Sequence, residues 1–231
     1  MDGTLSSKQL QELRKINTPT IANAVETFNI RPRTEGIMDS SVRCIFQDLG
    51  VMLGYACTAT IRAALPAAGR HISRFDYWDA IVRVPKPRVA VIQDLDQPRP
   101  VGSFWGEFNA SIHRALGCVG TVTNGGVRDL DEVHKMGFHY FASEVLVSHG
   151  YVHLVDLGIP VKVGGIVVKP GDLLHGDKHG VISIPNAIAG EVADATRRVE
   201  EAERKIIAYC RSPGFTLEGL KQTWMKVRGK P

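Results

Sequence analysis

Apolar residues recur at helical spacing at the start of the chain. Leu10, Leu13 and Ile16 share one face of residues 6–16, with Ser6 or Ser7 placed as cap. Thr18-Pro19-Thr20 ends that helix and opens a second, to about Phe28. Thr18 can cap it, Pro19 suits its first position, and Ile21, Ala24, Val25 and Phe28 share a face. The period then changes. Residues 54–62 read as a strand of small side chains, and 77–82 as helical or mixed. The short apolar run 88–94 predicts a buried strand. A helix is expected over 103–116, opened by Gly102-Ser103 and closed by Gly117. A buried strand follows at 118–123, a turn at Gly125-Gly126, a short helix at 129–136 closed by Gly137, and a strand at 138–143.

Alternation of strand and helix predicts an α/β fold. From about residue 151 the pattern turns β-rich. Residues 160–164 and 166–168 flank Gly164-Gly165, a hairpin signal. A turn at 170–172, a short segment at 172–176 and a strand at 181–184 precede a long charged helix over about 187–210. No linker or repeat interrupts this order. The expectation is one domain over 1–231, with its core at about 18–186 and helical arms at both ends, the C-terminal one at about 187–231.

Composition narrows the classes. Of 231 residues 44% are hydrophobic and 23% charged, which fits a globular chain and excludes a disordered or collagenous one. The net charge of +4 is weak and dispersed, so nucleic acid is not an expected partner. The chain lacks an apolar run long enough for a membrane span, and its first fifteen residues are polar. A cytoplasmic protein with no membrane partner is therefore expected. The four cysteines form no C-x-x-C pair and read as buried thiols.

The chemistry concentrates in residues 123–132, TNGGVRDLDE. A buried strand ends in two glycines and then presents Arg128 and Asp129 at a helix start. Ligands of open α/β sheets sit at such carboxyl ends. An Arg fork pairs bidentately with a carboxylate, and an Asp is a hard oxygen ligand for Mg²⁺. Asp129 with Glu132 three residues on also fits a capping box, and both readings stand at this level. A second piece is GSFWGEFN, residues 102–109, where amides near Phe108 and Asn109 at a helix start could hold a carboxylate or enolate oxygen. Glu107 is either an acid for the same place or a solvated first-turn residue. His175 and His179 are spaced i, i+4 in a glycine-rich stretch that argues against a helical metal pair. Gly117 and Gly120 do not make a dinucleotide turn, and Ser148-His149 lacks a nucleophile elbow.

GCVGTVTNGGVRD (117–129), GGIVVKPGD (164–172) and DKHGV (177–181) resemble the RraA-like family. The resemblance runs from about Thr18 to Pro185. That family includes 4-hydroxy-4-methyl-2-oxoglutarate / 4-carboxy-4-hydroxy-2-oxoadipate aldolases, which are class II pyruvate aldolases. The resemblance implies a swivelling ββα fold assembled as a homotrimer or a dimer of trimers. It implies a lyase releasing pyruvate from a 4-hydroxy-2-oxo acid, with oxaloacetate decarboxylation alongside, and Mg²⁺ or Mn²⁺ as cofactor. Glu107, twenty residues, Arg128-Asp129 and Glu132 match the frame of those aldolases. By that match Asp129 binds the metal directly, Arg128 binds the pyruvyl carboxylate, and Glu107 orients water at the metal. Gly106 and the amides of Phe108 and Asn109 seat the 2-oxo acid, and Glu132 is the acid that marks the aldolases. Glu203, with Glu200 and Glu201 as neighbours, is the candidate acid reaching an adjacent subunit's metal through water. Glu107 is one methylene longer than the Asp usual there, and Pro85-Lys86-Pro87-Arg88 replaces the usual Gly-Asp run. Two other activities occur in the naming of this family. One is a non-catalytic regulator that binds a ribonuclease, which the basic balance of this chain disfavours. The other is a methyltransferase, for which no nucleotide-binding turn is present.

Overall fold

The computed structural model describes residues 4–69, 72–96 and 98–229. Its organising element is the strand Met52–Arg62, eleven residues long and buried at every position but the last. A strand buried on both faces needs partners on both edges. Arg88–Asp94 runs parallel along one edge, from Tyr55–Arg88 to Ile61–Asp94. The other edge is shared, antiparallel, by Leu173–Asp177 against the first half and His153–Leu157 against the second. Beyond Arg88–Asp94 come Cys118–Thr123 and His139–Ala142, both parallel, and then the edge pair Arg43–Cys44. Gly180–Ile184 closes the opposite side.

Helices cover one face. Arg74–Val82, Glu107–Ala115 and Leu130–Lys135 contribute Tyr77, Ile81, Ala110 and Val133 to a core that includes Ile61, Ile92, Trp105, Phe138 and Tyr140. The hairpin Val161–Val163 / Ile166–Val168 packs on the other face with Met52, Val89, Val122 and Phe141. Gly164 and Gly165 both take positive φ, 55° and 77°, as a two-residue turn matching strand twist requires. Ser7–Leu13, Thr18–Glu26 and the long helix Val192–Cys210 bury Leu13, Ile21, Val25 and Val192 around a separate cluster near Tyr55 and Leu173. Among the described residues, no helix is long and apolar enough to cross a membrane.

The mixed α/β architecture with helices at both ends agrees with expectation. Several local readings change. Asn17, not Thr18, caps the second helix, its Oδ1 accepting from the Thr20 amide at 2.9 Å. Thr18 instead donates its amide to Asp177 Oδ2 at 2.8 Å and meets His175 Nδ1 with its hydroxyl at 3.0 Å. His175 is buried and His179 sits on Asp177 Oδ1 at 3.0 Å, so the two histidines have separate structural partners. The long helix begins at Val192 rather than 187, because residues 186–191 form turns. A further helix, Leu217–Arg228, follows it. Of the cysteines only Cys57 and Cys118 are buried; Cys44 is half-buried and Cys210 exposed.

Candidate active site

The three parallel strands Arg88–Asp94, Cys118–Thr123 and His139–Ala142 each run on into a shorter strand past their carboxyl ends. Ser103–Trp105, Gly126–Val127 and Glu144–Val145 form a second, three-stranded parallel sheet. Two expectations change here. Residues 103–105 are strand, and the helix begins only at Glu107 with Gly106 as its cap. Gly126 belongs to a strand rather than to a turn. Asn124 makes this possible. Its side chain accepts from the Asp94 amide at 2.8 Å and donates to the Asp94 carbonyl at 2.9 Å, tying two strand ends together. Ser103 Oγ contacts the carbonyls of Gly126 and Trp105 at 2.7 and 2.6 Å.

This frame sets Arg128 and Asp129. The Arg128 amide donates to the Trp105 carbonyl at 3.0 Å. Asp129 then takes the left-handed conformation, φ 56°, ψ 50°, uncommon outside glycine and tolerated by Asp. The capping-box reading fails at this point. The Asp129 side chain does not cap its own helix; its Oδ2 accepts from the amide of Glu107 at 2.9 Å. Asp129 therefore caps the neighbouring helix, whose own cap Gly106 has no side chain to offer. Gly106 is extended, so its requirement is space: a Cβ there would lie 2.4 Å from Asp129 Oδ2 and 3.2 Å from Arg128 Nε.

Asp129 Oδ1 stands 3.9 Å from Arg128 Nε, and the two side chains are 34% and 36% exposed. The Asp129 carboxylate is thus held by a backbone amide, and both side chains are open to a ligand. The first turn of Glu107–Ala115 adds the amides of Phe108 and Asn109, which helix geometry leaves without intrahelical acceptors. Glu107 is exposed beside them, and Glu132 is exposed on the next helix. Glu203 lies elsewhere, on Val192–Cys210, where its carboxylate accepts from Arg228 Nη2 at 3.1 Å. Among the described residues nothing joins it to Asp129. Beneath the site Trp105 is fully buried, its ring 4.6 Å from that of His113. Tyr140 is also buried there, and burial first, then the Asp129 charge, raises its phenol well above the ordinary value. Asp94, buried below Gly125, has one carboxylate oxygen without a protein partner, and burial pushes its pKa up to about 6.

A cleft of about 700 Å³ opens beside Arg128, lined also by Arg74, Phe104, Phe108, Asn109 and His153. The Arg74 guanidinium lies 5.7 Å from the centre of the Phe108 ring. Nothing in the sequence pattern marks Arg74. The contact joins two helix starts that only the fold brings together.

Among the described residues no group of three or more His, Cys, Asp or Glu is poised to hold a metal, so a closed protein cage is absent there. One carboxylate pinned by a backbone amide and about a third exposed still fits Mg²⁺. That ion takes one or two carboxylates and completes its shell with water and substrate.

The RraA-like family model, described as Aldolase/RraA, matches residues 18–183, and the chain belongs to that family. A crystal structure of an uncharacterized protein from Pseudomonas syringae superposes with a TM-score of 0.73 at 25% identity, over 96% of this chain and 97% of that one. Protein DlpA of Legionella pneumophila is 26% identical over 229 residues, which are 96% of this chain and 35% of DlpA. A Halalkalibacterium halodurans protein named "Putative 4-hydroxy-4-methyl-2-oxoglutarate aldolase" is 26% identical over 107 residues, 45% of this chain and 51% of that protein. The chain thus spans about a third to a half of the length of these two relatives.

Proposed function

We propose that the chain is a divalent-metal-dependent lyase that cleaves a 4-hydroxy-2-oxo acid to pyruvate by a retro-aldol reaction, with oxaloacetate decarboxylation as a companion activity. The observation that carries this reading is the pinning of Asp129 by the Glu107 amide, next to the Arg128 fork, at the carboxyl ends of parallel strands. An aldolase name on a relative of 26% identity supports the reaction class.

In this reading Arg128 grips the carboxylate of the 2-oxo acid with two parallel hydrogen bonds. The amides of Phe108 and Asn109 point at its oxo group. Asp129, with Glu107 and Glu132 through water, would hold Mg²⁺ or Mn²⁺. Bound there, the ion would supply Lewis-acid polarisation of the 2-oxo group. Glu107 accepts, through water, the proton of the 4-hydroxyl. The C4–O bond becomes a carbonyl, the C3–C4 bond breaks, and its electron pair enters the pyruvate enolate. Arg128 and the helix amides stabilise that charge because they are already in place before it develops. Decarboxylation of oxaloacetate breaks the same C3–C4 bond by releasing CO₂, ends in the same enolate and draws on Arg128 and the helix amides, with no hydroxyl proton for Glu107 to accept. A homotrimer or dimer of trimers would bring Glu203 of one subunit towards the site of the next, once it leaves Arg228.

The test is pyruvate release from oxaloacetate and from 4-hydroxy-4-methyl-2-oxoglutarate, followed with a coupled dehydrogenase. Release should stop with EDTA and return with Mg²⁺ or Mn²⁺. Release indifferent to the chelator, or no release from either acid with metal present, contradicts the reading.

A further inference from the structure

The cleft beside Arg128 is lined by two arginines from different elements. Arg128 follows the strand Gly126–Val127, and Arg74 opens the helix Arg74–Val82. Arg74 is not held as a surface ion pair: among the described residues it makes no salt bridge. The first-turn carboxylate of its helix, Asp76, accepts instead from Ser73 Oγ at 2.8 Å. What holds Arg74 is the face of Phe108, with its guanidinium carbon 5.7 Å from the ring centre. Phe108 is itself 66% exposed, so the stacked pair forms a wall of the cleft rather than part of the core. No Asp or Glu is among the described residues that line this cleft. Two of its linings, His149 and His153, set their Nδ1 atoms 2.7 and 2.8 Å from the carbonyls of Gly150 and Tyr151. A cavity of this kind favours a negatively charged ligand.

We infer that Arg74 is a specificity-determining residue, pairing with a second carboxylate of the substrate while Arg128 holds the first. This deepens the function proposed above and rests on the assignment of Arg128 to the 2-oxo carboxylate. Phe108 then acts as a positioning residue by keeping the Arg74 fork in one plane. A cavity of about 700 Å³ accommodates a short diacid with its hydration.

Two unreactive ligands of equal chain length separate the two carboxylates: 2-oxoglutarate, a diacid, and 2-oxopentanoate, with a methyl in place of the distal carboxylate. Each is titrated calorimetrically into the full chain with Mg²⁺ present. The wild type should bind 2-oxoglutarate about ten- to a hundredfold more tightly, as expected for one charge-assisted pair. Arg74→Gln should erase that preference and leave the affinity for 2-oxopentanoate unchanged. Arg74→Lys, which keeps the charge and loses the planar stack, should retain part of it, and so should Phe108→Leu. A preference that survives Arg74→Gln, or an equal loss for both ligands, overturns the inference while leaving the Arg128 assignment standing. Wild-type protein that binds neither ligand overturns the assignment itself, and this inference with it.

Discussion

The carboxylate of Asp129 accepts the backbone amide of Glu107 at 2.9 Å, so a residue from one βα connection caps the helix of the previous one. That single bond fixes the direction of the side chain on which the metal proposal depends. It also explains why Gly106 lies between them. Any Cβ at 106 would occupy the place of Asp129 Oδ2.

Gly106→Ala should therefore displace the Asp129 carboxylate and strain Arg128 Nε while leaving the buried sheet intact. Displacements near 1 Å at a reacting centre cost about 100-fold. The expected result is a loss of kcat/KM of about that size with unchanged far-UV circular dichroism, measured by pyruvate release.

Asp129→Asn separates charge from geometry. Asn tolerates the left-handed backbone and still offers an oxygen to the Glu107 amide. Stability should change by about 0.5 kcal/mol or less. Turnover should fall by about a thousandfold, because the anionic oxygen is gone. A variant that retains activity removes Asp129 from the proposed chemistry.

Arg128→Lys keeps the positive charge and loses the bidentate fork. The KM for oxaloacetate should rise about tenfold and kcat should fall, since the fork serves both substrate and enolate. A change in kcat alone would place Arg128 outside substrate binding.

Much of this fold was legible, and the exceptions have physical reasons. The strands at 88–94 and 118–123 announce themselves as apolar runs, and Gly164-Gly165 as a turn whose two positive φ angles suit glycine. The strand Ser103–Trp105 does not. Three residues are too few to show a period, and the Gly, Ser and aromatic residues around it are equally at home in a helix start. Asp129 and Glu132 have capping-box spacing, yet the left-handed turn at Asp129 sends its carboxylate to a different helix, which spacing cannot reveal. Asn124 clamping Asp94, and Arg74 on Phe108, are contacts between distant segments and exist only once the sheet is assembled. Arg128 and Asp129 are legible as neighbours because they adjoin in sequence at a strand end.

Buried histidines set the expected pH response. Burial lowers His113 and His139 to about 4, from an ordinary 6.5. The unfolded chain therefore takes up protons that the folded chain does not as pH falls through this window. The stability from their neutral forms is complete above 6.5 and is lost towards pH 4. Asp94 acts in the opposite sense. Its raised pKa, about 6, contributes stability below 3.8 that disappears as pH rises through 6. These two imidazoles, joined by His175, which burial also lowers, outweigh the one carboxyl, so urea unfolding should show a net loss of stability as pH falls from 7 to 4. His113→Gln should flatten that slope, and Asp94→Asn should steepen it. A stability that is level across the window contradicts the assignment.

The central claim is that Asp129 and Arg128 hold a divalent ion and a 2-oxo acid together. Binding of Mn²⁺ to the full chain, followed by electron paramagnetic resonance with and without pyruvate, tests it without relying on turnover. Pyruvate should tighten Mn²⁺ binding about tenfold or more, and Asp129→Ala and Arg128→Ala should each abolish that coupling, the first by losing the ion and the second by losing the acid. Mn²⁺ binding that ignores pyruvate, or that persists with its coupling in Asp129→Ala, would contradict the account.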